Sequence, residues 1–314
     1  MTLNKRLIVF LAVVLLIGLA GYYFISIKSE EKEKIPQVKE PESLQIVNTI
    51  SIGTIGSNPV TQIKVFQPTA DYVASKLGNN ATGYKGKVII VKTIDEMSDL
   101  LKEQKLDLFI DSPFTTVIVD KKSGAVPFLR RWKEGVGQYH TVFIVKKNSS
   151  INTLNDFIGK TIASEDSAST SAYFLPKAYL VQKGFNVNQS AGKNYIRFVF
   201  SGKAENTPLW VVEGKAEIGA ISNMDFIEIP GYIKDKLKII DRTDDVPRHV
   251  VSYRSGLDPA LVKNIKQIFL GMDKDAQGIE IMKNFQGTKK YDEISKDEVF
   301  NASRMVELLN NNNN

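Results

Sequence analysis

Short apolar, β-branched runs alternate with stretches of helical period from about residue 45 to residue 285, and this alternation limits the fold more than any single motif does. Residues 45–52 read as a strand, Gly53-Thr-Ile-Gly-Ser-Asn-Pro59 breaks it, and residues 68–77 carry a helical pattern closed by Gly78. The unit then repeats. Strands are expected at 87–91, 106–110, 141–145, 161–163, 197–200, 218–221, 237–240 and 250–253, and helices at 95–105, 153–157, 169–183, 207–213 and 259–271. A further helix opens at Ser112-Pro113, where a cap residue precedes a proline at the first helical position. The pattern predicts an α/β protein with no internal repeat.

Composition removes whole classes of chemistry. The chain of 314 residues has no cysteine, so disulfides, thiolate metal sites, iron–sulfur clusters and cysteine nucleophiles are excluded. Its two histidines, His140 and His249, cannot build a multi-histidine metal centre. No cofactor is expected. The net charge of +6 comes from 41 Lys+Arg against 35 Asp+Glu, and the positive segments are short and interrupted, so no nucleic-acid partner is expected.

Lys5 and Arg6 precede about 21 uncharged residues, 7–27, long enough for a helix to cross a bilayer. Residues 1–27 are read as an uncut anchor or as a signal segment cleaved near Gly18-Leu19-Ala20; either places the body outside the cytoplasm, at the cell membrane or in the periplasm. Residues 28–45, charged and carrying Pro36 and Pro41, form a linker, and residues 310–314 a disordered asparagine tail.

Three strand-to-helix junctions are rich in hydroxyl groups: Gly56-Ser57-Asn58-Pro59, Asp111-Ser112-Pro113-Phe114-Thr115-Thr116 and Asp166-Ser167-Ala168-Ser169-Thr170-Ser171. Such junctions lie at the carboxyl ends of strands, where open α/β sheets bind ligands. A helix N-terminus with added hydroxyl donors suits a small oxyanion, and N-capping alone explains the same residues.

These segments carry a resemblance. Gly53-Thr-Ile-Gly-Ser-Asn-Pro59, Gln67-Pro-Thr-Ala-Asp-Tyr-Val73, Asp107-Leu-Phe-Ile-Asp-Ser-Pro113, Tyr139-His-Thr-Val-Phe-Ile-Val-Lys146, Leu154-Asn-Asp-Phe-Ile-Gly-Lys160, Ser167-Ala-Ser-Thr-Ser-Ala-Tyr173 and Val246-Pro247 follow one another in an order that resembles the phosphate/phosphite/phosphonate-binding proteins of ABC importers. The likeness covers residues 46–285. It implies a two-lobed type II periplasmic-binding-protein fold, with lobe 1 in residues 46–142 and 223–309 and lobe 2 in 143–222, joined by two crossing strands. It also implies a permease and its ATPase as partners.

The resemblance places Ser169, Thr170 and Ser171 on the phosphonate oxygens, and Ser57, Asn58, Ser112, Thr115, Thr116 and Tyr139 complete the expected ligand-binding set. The chain departs from the family at two usual contacts. A tyrosine near Thr116 is absent, and Phe200-Ser-Gly-Lys-Ala-Glu-Asn206 lacks the family's histidine. Lys203 replaces the lost donor, the ligand differs, or Lys203 is a solvated loop lysine. Asp225 is read as an acceptor for a protonated oxygen or amine, or as a hinge or cap residue at the return crossing. Arg130 or Arg131, one at most, could pair with an anion, and Trp132 could shape the cleft.

No catalytic constellation is present. Gly159-Lys160-Thr161 lacks the upstream glycine of a phosphate-binding loop and leads into a strand. The expected function is capture of a small phosphorus oxyanion for an importer. Alternatives are a tethered sensor working with a signalling partner, or a receptor for another small ligand.

Overall fold

The computed structural model describes residues 46–78, 82–167, 169–187 and 194–311. The expected membrane segment and linker lie outside these. Among the described residues no helix is long and apolar enough to cross a membrane.

Two sheets organise the described chain. The first has six strands in the order Tyr291–Glu293, Val126–Arg131, His249–Tyr253, Leu108–Asp111, Ile46–Ile55, Thr82–Val91. The last three run parallel, and the strands toward the other edge are antiparallel. The second sheet has five strands in the order Leu237–Arg242, Thr141–Lys146, Ile218–Ser222, Thr161–Ser164, Arg197–Phe200. Parallel neighbours need crossover connections, and the helices Pro59–Leu77 and Ile94–Lys102 supply them in the first sheet.

The first crossover helix is longer than its apolar periodicity predicts. It begins at Pro59, with Asn58 accepting from the Thr61 amide, and continues through Pro68. It lies so close to the neighbouring strand that a Cβ at Gly86 would stand 2.4 Å from the Ala70 carbonyl carbon. Ile50, Ile52, Leu108 and Val251 of the sheet pack there against Phe66, Ala70 and Val73 of this helix and Ile265 and Phe269 of the helix Pro259–Gly271. In the second lobe Phe143, Val145, Ile162 and Ile218 pack against Phe157, Tyr179 and Leu180.

The chain passes between the lobes twice. On the outward passage Gln138–Tyr139 pairs antiparallel with Val246–Pro247 of the return. Thr141 and Thr243 exchange two hydrogen bonds at 3.0 Å, and His140 Nδ1 lies 2.8 Å from Asp245 Oδ1. The return therefore lies near residues 243–246, later than the expected 223. Leu237–Arg242 pairs antiparallel with Thr141–Lys146 and so belongs to the second lobe. Asn223 still serves the crossing, because its Oδ1 accepts from the His140 amide and its own amide donates to the His140 carbonyl.

A third apolar cluster belongs to both lobes. Phe114 and Val117 come from the first, Leu175 and Ala178 from the second, and Ala302, Met305, Val306 and Leu309 of the helix Lys296–Asn311 pack with both. That helix runs through Asn311, so the first two residues of the asparagine run are helical and the rest lie outside the described residues.

Candidate functional site

The two hydroxyl-rich junctions at residues 111–116 and 169–171 meet across the lobes. Ser112 occupies the cap position of the helix Pro113–Ser123, yet its side chain makes no capping bond. Its hydroxyl donates to Thr115 Oγ1 at 3.0 Å and accepts from Thr170 Oγ1 of the other lobe at 3.0 Å. Asp111 sets the position of this turn. Its carboxylate accepts from Thr54 Oγ1, the Ile55 amide and the Ser112 amide at 2.9, 3.1 and 2.7 Å. Burial pushes the Asp111 carboxyl up, against these bonds.

On the second lobe, residues 170–174 form a π turn before the helix Leu175–Gln182. Pro176 explains it. Proline has no N–H for the carbonyl four residues back and its ring crowds that carbonyl, so the turn widens. Phe174 and Leu175 donate instead to the carbonyls of Ser169 and Thr170, five residues back. Ser169 caps the turn by accepting from the Ala172 amide, and Thr170 is left to face Ser112. The Ser171 carbonyl accepts from Thr141 Oγ1, tying the turn to the outward crossing.

Tyr139 is buried at this crossing, and the Arg248 guanidinium lies over its ring, 4.5 Å from the centroid. Burial pushes its hydroxyl up to about 12, while hydrogen bonds with Thr170 and Arg248 pull it down. Arg248 also pairs with Glu134. Glu134 and Gly135 both take left-handed backbone conformations, φ 55° and 78°, in the turn after Trp132. This strained turn, held by the Gln286 and Gly287 carbonyls, presents Lys133 and Glu134 beside Arg248. Burial and the neighbouring Arg248 hold the Lys133 amine below its ordinary value. The first lobe thus offers cationic groups.

The second lobe faces them with carboxylates. Asp225 lies on the helix Asn223–Glu228 and interacts with Arg248, Lys133 and Glu134 opposite; loss of hydration in the cleft raises its carboxyl and the two cations lower it. Glu165 is raised by burial and then by Asp166, Asp225 and Glu205, with a hydrogen bond to Ser169 opposing.

The structure therefore brings together Ser112, Thr115, Tyr139, Thr170 and Asp225, with Ser169 and Ser171 flanking. Thr116 is not among them: it is buried and bonds back to the Ser112 carbonyl. Ser57 and Asn58 are exposed on the neighbouring strand-to-helix loop, and Asn58 is occupied in capping. Lys203 is exposed on the turn after Arg197–Phe200.

Neither flagged arginine is available to a ligand. Arg130 chelates Asp292, at 2.9 and 2.8 Å, and pairs with Glu298. Arg131 is fully buried, stacked 3.6 Å from the Phe285 ring centroid and bonded to Thr288 and the Phe285 carbonyl. Trp132 donates to Asp292. Arg248, Lys133 and Glu165 are the residues that sequence reasoning missed. The place of Arg248, directly after Val246-Pro247 at the return crossing, was the available signal.

A family model described as ABC transporter, phosphonate, periplasmic substrate-binding protein matches residues 53–299. The phosphonates-binding periplasmic protein of Escherichia coli is 27% identical over 164 residues, 50% of this chain and 47% of that protein. The chain thus matches about half the length of this relative. Among solved structures, XAC2383 from Xanthomonas citri bound to chloride superposes with a TM-score of 0.75 at 23% identity, covering 84% of this chain and 99% of that one. PhnD1 from Prochlorococcus marinus in complex with methylphosphonate superposes with a TM-score of 0.60 at 18% identity, covering 84% and 98%.

Proposed function

Since the chain belongs to the family of phosphonate substrate-binding proteins of ABC transporters, we propose that it captures a phosphonate between its two lobes and presents it to a permease driven by an ATPase. The observation that carries this is the hydroxyl pair Ser112 and Thr170, in contact across the lobes beside Tyr139 and Arg248. A phosphonate carries three oxygens. Arg248 brings positive charge and the N–H donors that its pair with Glu134 leaves over, and Ser112, Thr115 and Thr170 donate to the other oxygens, each lobe contributing some of the bonds. Ligand then contacts both lobes only when they close, so its binding energy shifts the lobe equilibrium toward the form a permease reads.

The carboxylates of the second lobe bear on the other end of the ligand. Glu165 and Asp225 favour a phosphonate with an ammonium group, such as 2-aminoethylphosphonate, over phosphate or phosphite. Residues 1–27 fit an anchor or a cleaved signal that places the body outside the cytoplasm.

Thermal unfolding with phosphate, phosphite, methylphosphonate, 2-aminoethylphosphonate and sulfate tests the proposal. The expected result is the largest rise in melting temperature with 2-aminoethylphosphonate, abolished by Ser112→Ala with Thr170→Ala. No rise with any phosphorus oxyanion, in folded protein free of carried-over ligand, overturns it.

A further inference from the structure

Beside Asp225 the second lobe opens into a hollow of about 520 Å³, within the range of small-molecule sites. Ile221, at the end of its strand, contributes to the lining, with Pro208 and Leu209 of the helix Asn206–Glu213 on one side and Ile229 and Ile233 on the other. The remaining lining includes Glu205, Asp225, Glu228 and Tyr232, and among the described residues no lysine, arginine or histidine.

Asp225 both lines the hollow and lies within electrostatic reach of Arg248 and Lys133 of the opposite lobe. The turn that carries Glu205 is bonded to the segment that carries Glu165, since the Ser201 and Gly202 amides donate to the Ser164 and Glu165 carbonyls at 2.8 and 2.9 Å. Three exposed acids around a buried apolar floor favour positive charge on a greasy body, and the exposed Tyr232 ring adds a face on which a cation can rest.

We propose that this hollow receives the cationic end of the ligand, and that the preferred ligands are phosphonates whose amine is N-alkylated or carried on a longer alkyl chain. The inference rests on the phosphonate reading of the cleft. A bare ammonium needs only the carboxylates, whereas methyl or methylene groups bury against Leu209, Ile229 and Ile233.

Calorimetric titration of the full chain with methylphosphonate, 2-aminoethylphosphonate and its N,N,N-trimethyl derivative tests it. The trimethyl derivative is expected to bind most tightly. Leu209→Trp, which fills the hollow, is expected to weaken the trimethyl derivative tenfold or more while methylphosphonate stays within threefold. Tyr232→Ala, at a side chain 70% exposed and remote from the core, is expected to weaken the trimethyl derivative several-fold and serves should the first variant fail to fold. A trimethyl derivative no tighter than methylphosphonate, or unchanged affinities in the folded variants, overturns the hollow and leaves the phosphonate reading standing. Absence of binding by all three ligands to the parent chain overturns that reading and the hollow with it.

Discussion

Asp120 shows how far a single side chain can set the pH response of this protein. It lies in the helix Pro113–Ser123 with its carboxylate turned onto the strand His249–Tyr253; one oxygen accepts from Ser252 at 2.8 Å and the other is buried without a partner. Burial pushes its carboxyl up to about 8. The folded state therefore holds a proton that the unfolded chain releases near pH 4, and stability falls as pH rises from about 4 to about 8 before levelling off. Asp120→Asn is expected to flatten this slope and to be more stable than the parent at pH 8 by about 1–3 kcal/mol, read from urea unfolding at several pH values. A variant with the parent's slope would place the titration elsewhere. Arg248 and Arg131 make the complementary point about legibility. Nothing local separates an arginine lying over Tyr139 at the crossing from one buried against Phe285, because the difference is made by which crossing or turn folds over each.

At the scale of elements, the α/β alternation was readable because strands and helices advertise themselves by period, and Ser112-Pro113 by its cap chemistry. The strands Val126–Arg131 and Tyr291–Glu293 were not, since both carry charged residues that are neutralised only by partners such as Arg130 with Asp292. The lobe boundary is not legible for a similar reason: the antiparallel addition of Leu237–Arg242 depends on a strand about 95 residues earlier. The π turn was also hidden, though Pro176 contains its cause. Pro176→Ala restores an N–H and permits a regular helix from Thr170 onward, which turns the Thr170 hydroxyl away from Ser112. Phosphonate affinity is expected to fall about tenfold with no loss of melting temperature, and unchanged affinity would mean that Thr170 does not depend on this turn.

Over the whole molecule, the two lobes are linked by the two crossings and by a shared apolar cluster under the C-terminal helix. Met305 is buried in that cluster, which draws residues from both lobes. Met305→Ala is expected to cost about 2–4 kcal/mol in a single unfolding transition, and two separated transitions would show that the lobes melt independently.

The cleft has the same two-lobed character, with cations on one wall, carboxylates on the other and hydroxyls from each meeting in the middle. We expect Arg248, poised over Tyr139 at the return crossing, to hold the phosphonate oxygens. Calorimetric titration of 2-aminoethylphosphonate into the parent chain and into Arg248→Gln tests this most directly. A hundredfold or greater loss of affinity is expected, in a variant that melts within a few degrees of the parent. An affinity within threefold of the parent's would contradict it.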